Sequence, residues 1–560
     1  MSDALSSYPY DLGSHEFSVT CHTPDAQLWF NRGLAWTYGY NHDEAVYCFE
    51  KAAAEDPECA MAHWGIAYAA GPNYNKGWDD FDESDLAHTV DKAYLAACEA
   101  DRLAPAATPL EQALIAALQR RYPQSSKPVD INAWADEYAN AMRGVYQQFG
   151  DDLDICTLFA EALIGRTPWQ LWDLRTGEPK PGASTLEAVE VLERALALMD
   201  ERGDQDHAGL FHMYIHTMEM SATPEKALRA AERLRDLVPD AGHLQHMGTH
   251  IDVLCGLYQE VVVWNSKAIA ADQLHLDRNG PNNFYSTYRC HNFHFKVYGA
   301  MLMGRYAEAM DAANLLVDGL GDELLSIASP PMADWLEAYC PVRLHVMIRF
   351  GRWQDIIDEP LPEDRELYSS TITIAHYAKG VAHAALGNVA AAETEQQCFA
   401  EARNRVPDSR RLFNNTCADL NAIAAEMLAG EIAYRKGDFD EAFAHLRRSV
   451  ELDDNLPYDE PWGWMQPTRH ALGALLLEQG RVAEAEPVFR ADLGFDDTLP
   501  RACQHPENVW GLHGFVECLH RLGRSAEAEL VRPRLATALS RADVPIRASC
   551  FCRQDSVASQ

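Results

Sequence analysis

The sequence predicts an all-α solenoid of antiparallel helical hairpins, and three features predict it. A short glycine-led turn closed by alanine recurs between amphipathic helices, as in LCGLYQEVVVWNSKAIAAD, MLMGRYAEAMDAAN and AALGNVAAAE. A length of 560 residues is long for one compact domain but ordinary where each unit packs only on its neighbours. No low-complexity linker separates domains, so residues 1–560 read as one continuous right-handed superhelix. It is long enough for its ends to approach and enclose a central chamber.

Residues 1–25 form an N-terminal extension, with neither the basic start nor the apolar run of a targeting segment. N-terminal repeats and diverged helices follow over 26–205. In LWFNRGLAWTYGYNHDEAVYCFEKAAAEDPE, Trp29, Gly33, Trp36, Ala45, Phe49, Ala52 and Pro57 sit where a helical hairpin of about 34 residues needs large, small, aromatic, small, aromatic, small and helix-ending residues. That is the tetratricopeptide pattern. A second hairpin begins at Ala60 and breaks at Gly71 and Pro72, which leaves Asn73, Tyr74 and Asn75 either as a capped loop or as a substrate contact. From Asp85 to Gly150 the helices lengthen, with joints at Pro105, Pro109 and Pro123. DDLDICTLFAEALIG then sets Glu161 in an apolar face, which is costly unless the carboxylate is paired or metal-bound. It is read as a substrate-site residue or as a helix-edge ion pair. Trp169 and Trp172, in the Pro/Gly-rich loop after it, either wall the groove or pin the loop.

Central repeats over 206–360 carry the histidines. FHMYIHTMEMS, AGHLQHMGTHIDVLCG and YRCHNFHF contribute His212, His216, His243, His246, His250, His291 and His294 at spacings of three or four, so each cluster becomes one helical stripe. Aligning Ala227, Val261 and Ala309 as the small residue of the turn starts three repeats at Ala208, Gly242 and Cys290. All seven histidines then take positions 2, 5 or 9 of a first helix, the positions that line the concave groove in tetratricopeptide proteins, which the chain resembles. Glu219 falls at position 12, Tyr298 and His345 at position 9. The 83 residues from 212 to 294 should hold roughly three histidines by composition, yet they hold eight, and only His275 misses the frame.

Repeats continue over 361–540, through Gly380 and Ala392 to Gly430 and Ala442. LPYDEPWGWMQPTRHALGALLLEQGR supplies Glu460, Trp464, Arg469 and His470 as weaker substrate candidates; His470 and His513 take position 5. A tail spans 541–560. Its Cys550 and Cys552 read as packed thiols or, second, as a soft-metal pair; the rest of the 14 cysteines are scattered as reduced core residues.

A formal charge of −37, from 47 basic and 84 acidic side chains, excludes a nucleic-acid partner and an anionic membrane surface. No segment has the apolar length to cross a bilayer. The sequence thus predicts a soluble cytoplasmic protein acting on a small molecule, with room for a homodimer.

Neutral imidazole is the commonest metal ligand, and it suits copper, iron, zinc and nickel rather than magnesium or calcium. The expectation is one or two transition-metal ions on the seven histidines, copper or iron before zinc. Glu219 would be ligand or general base, with Tyr298 and His345 in catalytic reach and Asp252, Asp272 and Asn292 orienting the rings. The leading function is redox or oxygen chemistry on a small organic molecule. A zinc hydrolase and a scaffold gripping a partner's peptide are the rivals.

FNRGLAWTYGYNHDEAVYCFEKAAAEDPECAMAHWGIAYAAGPNYN, YIHTMEMSATPEKAL, DAGHLQHMGTHIDVLCG, YRCHNFHF, YDEPWGWMQPTRHALGALLLEQGR and ASCFC resemble the tetratricopeptide-38-like family across nearly the whole chain. The resemblance implies the repeat fold and emphasises the seven histidines with Glu219; it implies no reaction. Gly248 stands where HMPTHI is expected, which would loosen a helix start there.

Overall fold

The computed structural model describes residues 8–128 and 130–554. They form helical hairpins almost throughout; the β-structure is the pair Arg411–Leu412 with Asn415–Thr416 and two isolated bridges. The chain gathers into two compact units, Met1–Ile251 with Lys267–Gly280, and Asp252–Ser266 with Pro281–Gln560. No described helix is long and apolar enough to cross a membrane.

In the first unit the hairpin read from Trp29 to Pro57 is the pair Pro24–Tyr38 and His42–Glu55, followed by Ala60–Ala70. The small positions have a steric cause, because a Cβ at Gly33 or Gly65 would collide with the Phe49 ring. The first two histidine repeats start where the frame places them, in helices Ala208–Met218 and Gly242–Leu254. Gly248 lies inside the second of these helices, not at its start. A Cβ there would stand 3.1 Å from the Ala231 carbonyl, so glycine permits the close approach, and proline would delete a helical hydrogen bond.

In the second unit, helix Ser286–Met303 begins one turn earlier than Cys290. The predicted turn glycines Gly256, Gly304 and Gly387 adopt φ of +73°, +76° and +80°, the left-handed region that ends a helix cheaply only with glycine. An apolar core built on Phe443, Leu475, Phe489 and Phe515 joins the C-terminal hairpins. Cys550 and Cys552 are not separate thiols but are joined as a disulfide.

Candidate metal centre

Five of the seven histidines fall in the first unit, and the structure brings them together with Glu219. His212, His216, His243 and His246 are fully buried, and His250 and Glu219 are 1% exposed. Ligand atoms of His212, His216 and His243 lie within 4.8 Å of one another, as do those of His216, Glu219 and His250.

Hydrogen bonds fix which nitrogen is available on three of the rings. His212 Nδ1 donates to the Tyr38 carbonyl at 2.6 Å. His216 Nδ1 and His250 Nδ1 donate to separate oxygens of Glu219 at 2.9 and 2.7 Å. With Nδ1 protonated, Nε2 carries the lone pair, the arrangement that a carboxylate or carbonyl imposes on metal-binding imidazoles. The Nε2 atoms meet: His212 and His243 at 3.2 Å, His246 and His250 at 2.7 Å. Two nitrogens bound at 2.0–2.1 Å in a tetrahedron are about 3.3 Å apart, so the first pair has the separation that two ligands of one ion would take. The second pair needs a proton or a cation between its nitrogens. Burial pushes His212 down to about 3, so it stays neutral and able to ligate.

Glu219 is therefore not placed as a free base. Both its oxygens take imidazole N–H groups, and its role is to orient His216 and His250.

Three aromatic rings close the site. Tyr40 lies 4.5 Å from His212, 5.8 Å from His216 and 5.5 Å from His243, stacked on the last two. Tyr74 is 4.8 Å from His216 and Trp169 meets the same ring edge-on at 5.9 Å. Tyr40 and Trp169 hold φ of +54° and +59°, a strained conformation for aromatic residues that packing must sustain. Trp172 anchors the loop by donating to the Thr217 carbonyl at 2.7 Å. The stripes therefore face a buried, ring-covered centre rather than an open groove.

Tyr40 and the Tyr38 carbonyl escaped the sequence reading, because both act from a helix-ending turn outside the histidine repeats. So did a second cluster. Asp154 Oδ1 accepts from His15 Nε2 at 2.9 Å and from the Tyr38 hydroxyl at 2.5 Å, with His207 Nε2 at 3.2 Å. Glu161 is not at a helix edge. It is buried, takes a hydrogen bond from Tyr68, and is pushed by burial up to about 8. Asp272 abuts Gly242, where no Cβ fits, and His275 meets the amides of Asn41 and Asn279.

The second unit holds the remaining candidates, Asp252 and Asn292 among them. His291 stacks on Phe413 at 5.5 Å. His294 and His345 line one small cavity with Tyr339 and Trp464, and burial pushes them down to about 3 and about 4. Tyr298 is buried beside His505, and burial first, then Asp453 and Asp492, raise its hydroxyl well above 10. Arg469 is not open to substrate, because Asp454 holds its guanidinium with both oxygens. Glu460 accepts from Tyr458. His470 bridges Arg349 and Asp492 at 2.9 Å each, inside the core.

Residues 427–456 match the tetratricopeptide repeat family model, on the hairpin of helices Cys417–Lys436 and Phe439–Asp453. No curated protein matches the chain. Among solved structures, the chain is similar to the human IFIT1 dimer with m7Gppp-AAAA, at 10% identity, 91% of this chain, 89% of that one and a TM-score of 0.32. Yeast Tom70 gives 11%, 92%, 99% and 0.28. Naa15/Naa10 bound to HypK-THB gives 12%, 92%, 70% and 0.21. TM-scores of this size carry no inference about what this chain binds.

Proposed function

We propose that this tetratricopeptide-repeat chain is a metalloenzyme whose first unit holds a transition-metal ion on His212, His216, His243, His246 and His250, and which acts on a small organic molecule. The supporting observation is the division of labour within the rings, with Nδ1 of His212, His216 and His250 turned to an acceptor while Nε2 atoms converge. Copper or iron in such a shell supplies redox or oxygen chemistry, and zinc supplies Lewis acidity. The chain's own part is to hold and orient: Glu219 and the Tyr38 carbonyl fix the rings, and Tyr40, Tyr74 and Trp169 keep bulk water out.

Redox chemistry is favoured over a zinc hydrolase because both Glu219 oxygens are engaged by imidazoles, which leaves that carboxylate unsuited to activating water. A peptide scaffold is disfavoured at these residues, since an extended tail needs an open groove and these rings are at most 1% exposed. The test is elemental analysis of untagged protein beside a variant with His243, His246 and His250 changed to Ala. Near-stoichiometric copper or iron lost in the variant supports the proposal. Zinc moves the hydrolase ahead, and no metal in either protein, even after reconstitution, overturns it.

A further inference from the structure

A second polar cavity lies in the first unit, walled by Tyr68, Tyr74, Trp78, Arg121, Tyr138 and Glu161. It offers about 30 Å³, room for on the order of two water-sized groups. Its wall is dominated by donors. Arg121 is 7% exposed; its Nη2 donates to the Pro72 carbonyl at 2.5 Å, and its Nη1 has no partner among the described residues. The Tyr138 hydroxyl and the Trp78 indole N–H, on residues 4% and 5% exposed, likewise have no partner among them.

Among the described residues the guanidinium also has no carboxylate beside it in ion-pair geometry. Glu161 lines the same cavity but takes its hydrogen bond from Tyr68, and burial favours its neutral form. The rings of Tyr68, Tyr138 and Tyr122, at 5.0, 5.1 and 5.8 Å from Arg121 Cζ, temper the charge but give it no counter-ion. A buried cation without an anion is unfavourable, and buried donors without acceptors are rare in folded proteins. One planar group meets both needs in this space. A carboxylate brings two acceptor oxygens and a single charge, whereas a tetrahedral oxyanion is bulkier.

We infer that this cavity binds the carboxylate of a small organic acid through Arg121, Tyr138 and Trp78, with the rest of the molecule directed along Tyr74 toward His216. Tyr74 supplies the link, because its ring walls the cavity and lies 4.8 Å from His216. The acid's identity as substrate rests on the proposed metal centre; the carboxylate site itself does not.

The experiment is a thermal-shift and calorimetric titration of the full chain with acetate, acetamide and inorganic phosphate, on metal-stripped and metal-loaded protein. Acetate is expected to bind saturably in both preparations and to raise the melting temperature, with acetamide and phosphate inactive. Arg121→Gln should weaken acetate at least tenfold. Tyr138→Phe, which keeps the ring, should weaken it several-fold with unchanged circular dichroism, and so carries the test if the arginine variant does not fold. Acetate no better than acetamide or phosphate, or unchanged acetate binding in Tyr138→Phe, overturns the inference. Acetate binding by a protein that never takes up metal would uphold the carboxylate site while removing the metal centre.

Discussion

His212 and His243, from successive repeats, face each other through Nε2 atoms 3.2 Å apart. Because the Tyr38 carbonyl holds the His212 proton on Nδ1, that contact needs a proton from His243 or a shared cation. Cobalt(II) added to metal-stripped protein should therefore give visible ligand-field bands of a nitrogen-rich site, and the double variant His212→Ala, His243→Ala should lose them. Chelation should also lower the melting temperature of the wild type and leave the double variant unmoved. Identical spectra from both proteins would place cobalt elsewhere.

Glu219→Gln tests orientation rather than ligation. Glutamine keeps one acceptor but presents an NH₂ donor to the other imidazole, so His216 or His250 must turn or change tautomer. Metal affinity should fall about 10–100-fold, read by competition with a chromophoric chelator, with the fold intact. An unchanged affinity would show that the two Glu219 contacts are incidental.

The histidine stripes were legible because a repeat frame fixes helical phase, and two repeats begin at Ala208 and Gly242 as that frame requires. What closes the site was legible only in part: Tyr74 and Trp169 were among the sequence candidates, and Tyr40 was not. Tyr40 reaches the rings from a turn with φ of +54°, where a periodic reading carries no information about side-chain direction. Asp154 gathers His15 from 139 residues away, a contact made by packing alone. His470 matched a groove position by sequence, yet its contact with Asp492 draws it into the core, and Arg469, a substrate candidate by sequence, is held by Asp454.

Asp154→Asn should destabilise the first unit. Burial alone would raise this carboxyl, but His207 and His15 hold it well below the usual carboxylate range. Its stabilisation is present above about pH 4, the unfolded carboxylate value, and is lost as pH falls through the depressed folded value. His15, raised by Asp154 against the opposing effect of burial, adds stability below its unfolded value that fades as pH rises through its folded one. Removing one partner of such a buried pair costs about 3–5 kcal/mol. Urea denaturation at neutral pH checks the magnitude, and limited proteolysis should cut near His15 sooner in the variant. Equal midpoints would reduce the cluster to bystander contacts.

Glu161 makes the opposite prediction. Its folded value is raised to about 8 from 4.5, because burial opposes ionisation. The folded state therefore holds a proton that the unfolded chain has released. Stability from this group is complete below pH 4.5, falls by about 1.4 kcal/mol per pH unit as pH rises toward 8, and is flat above that. Glu161→Gln keeps an acceptor for the Tyr68 hydroxyl but cannot ionise, so it should match the wild type near pH 4.5 and exceed it increasingly up to pH 8. Other carboxylates titrate alike in both proteins, so the difference between urea midpoints at pH 5, 6.5 and 8 isolates Glu161. A difference that does not grow with pH would mean that Glu161 is ionised in the folded protein, with a cation close enough to hold it so.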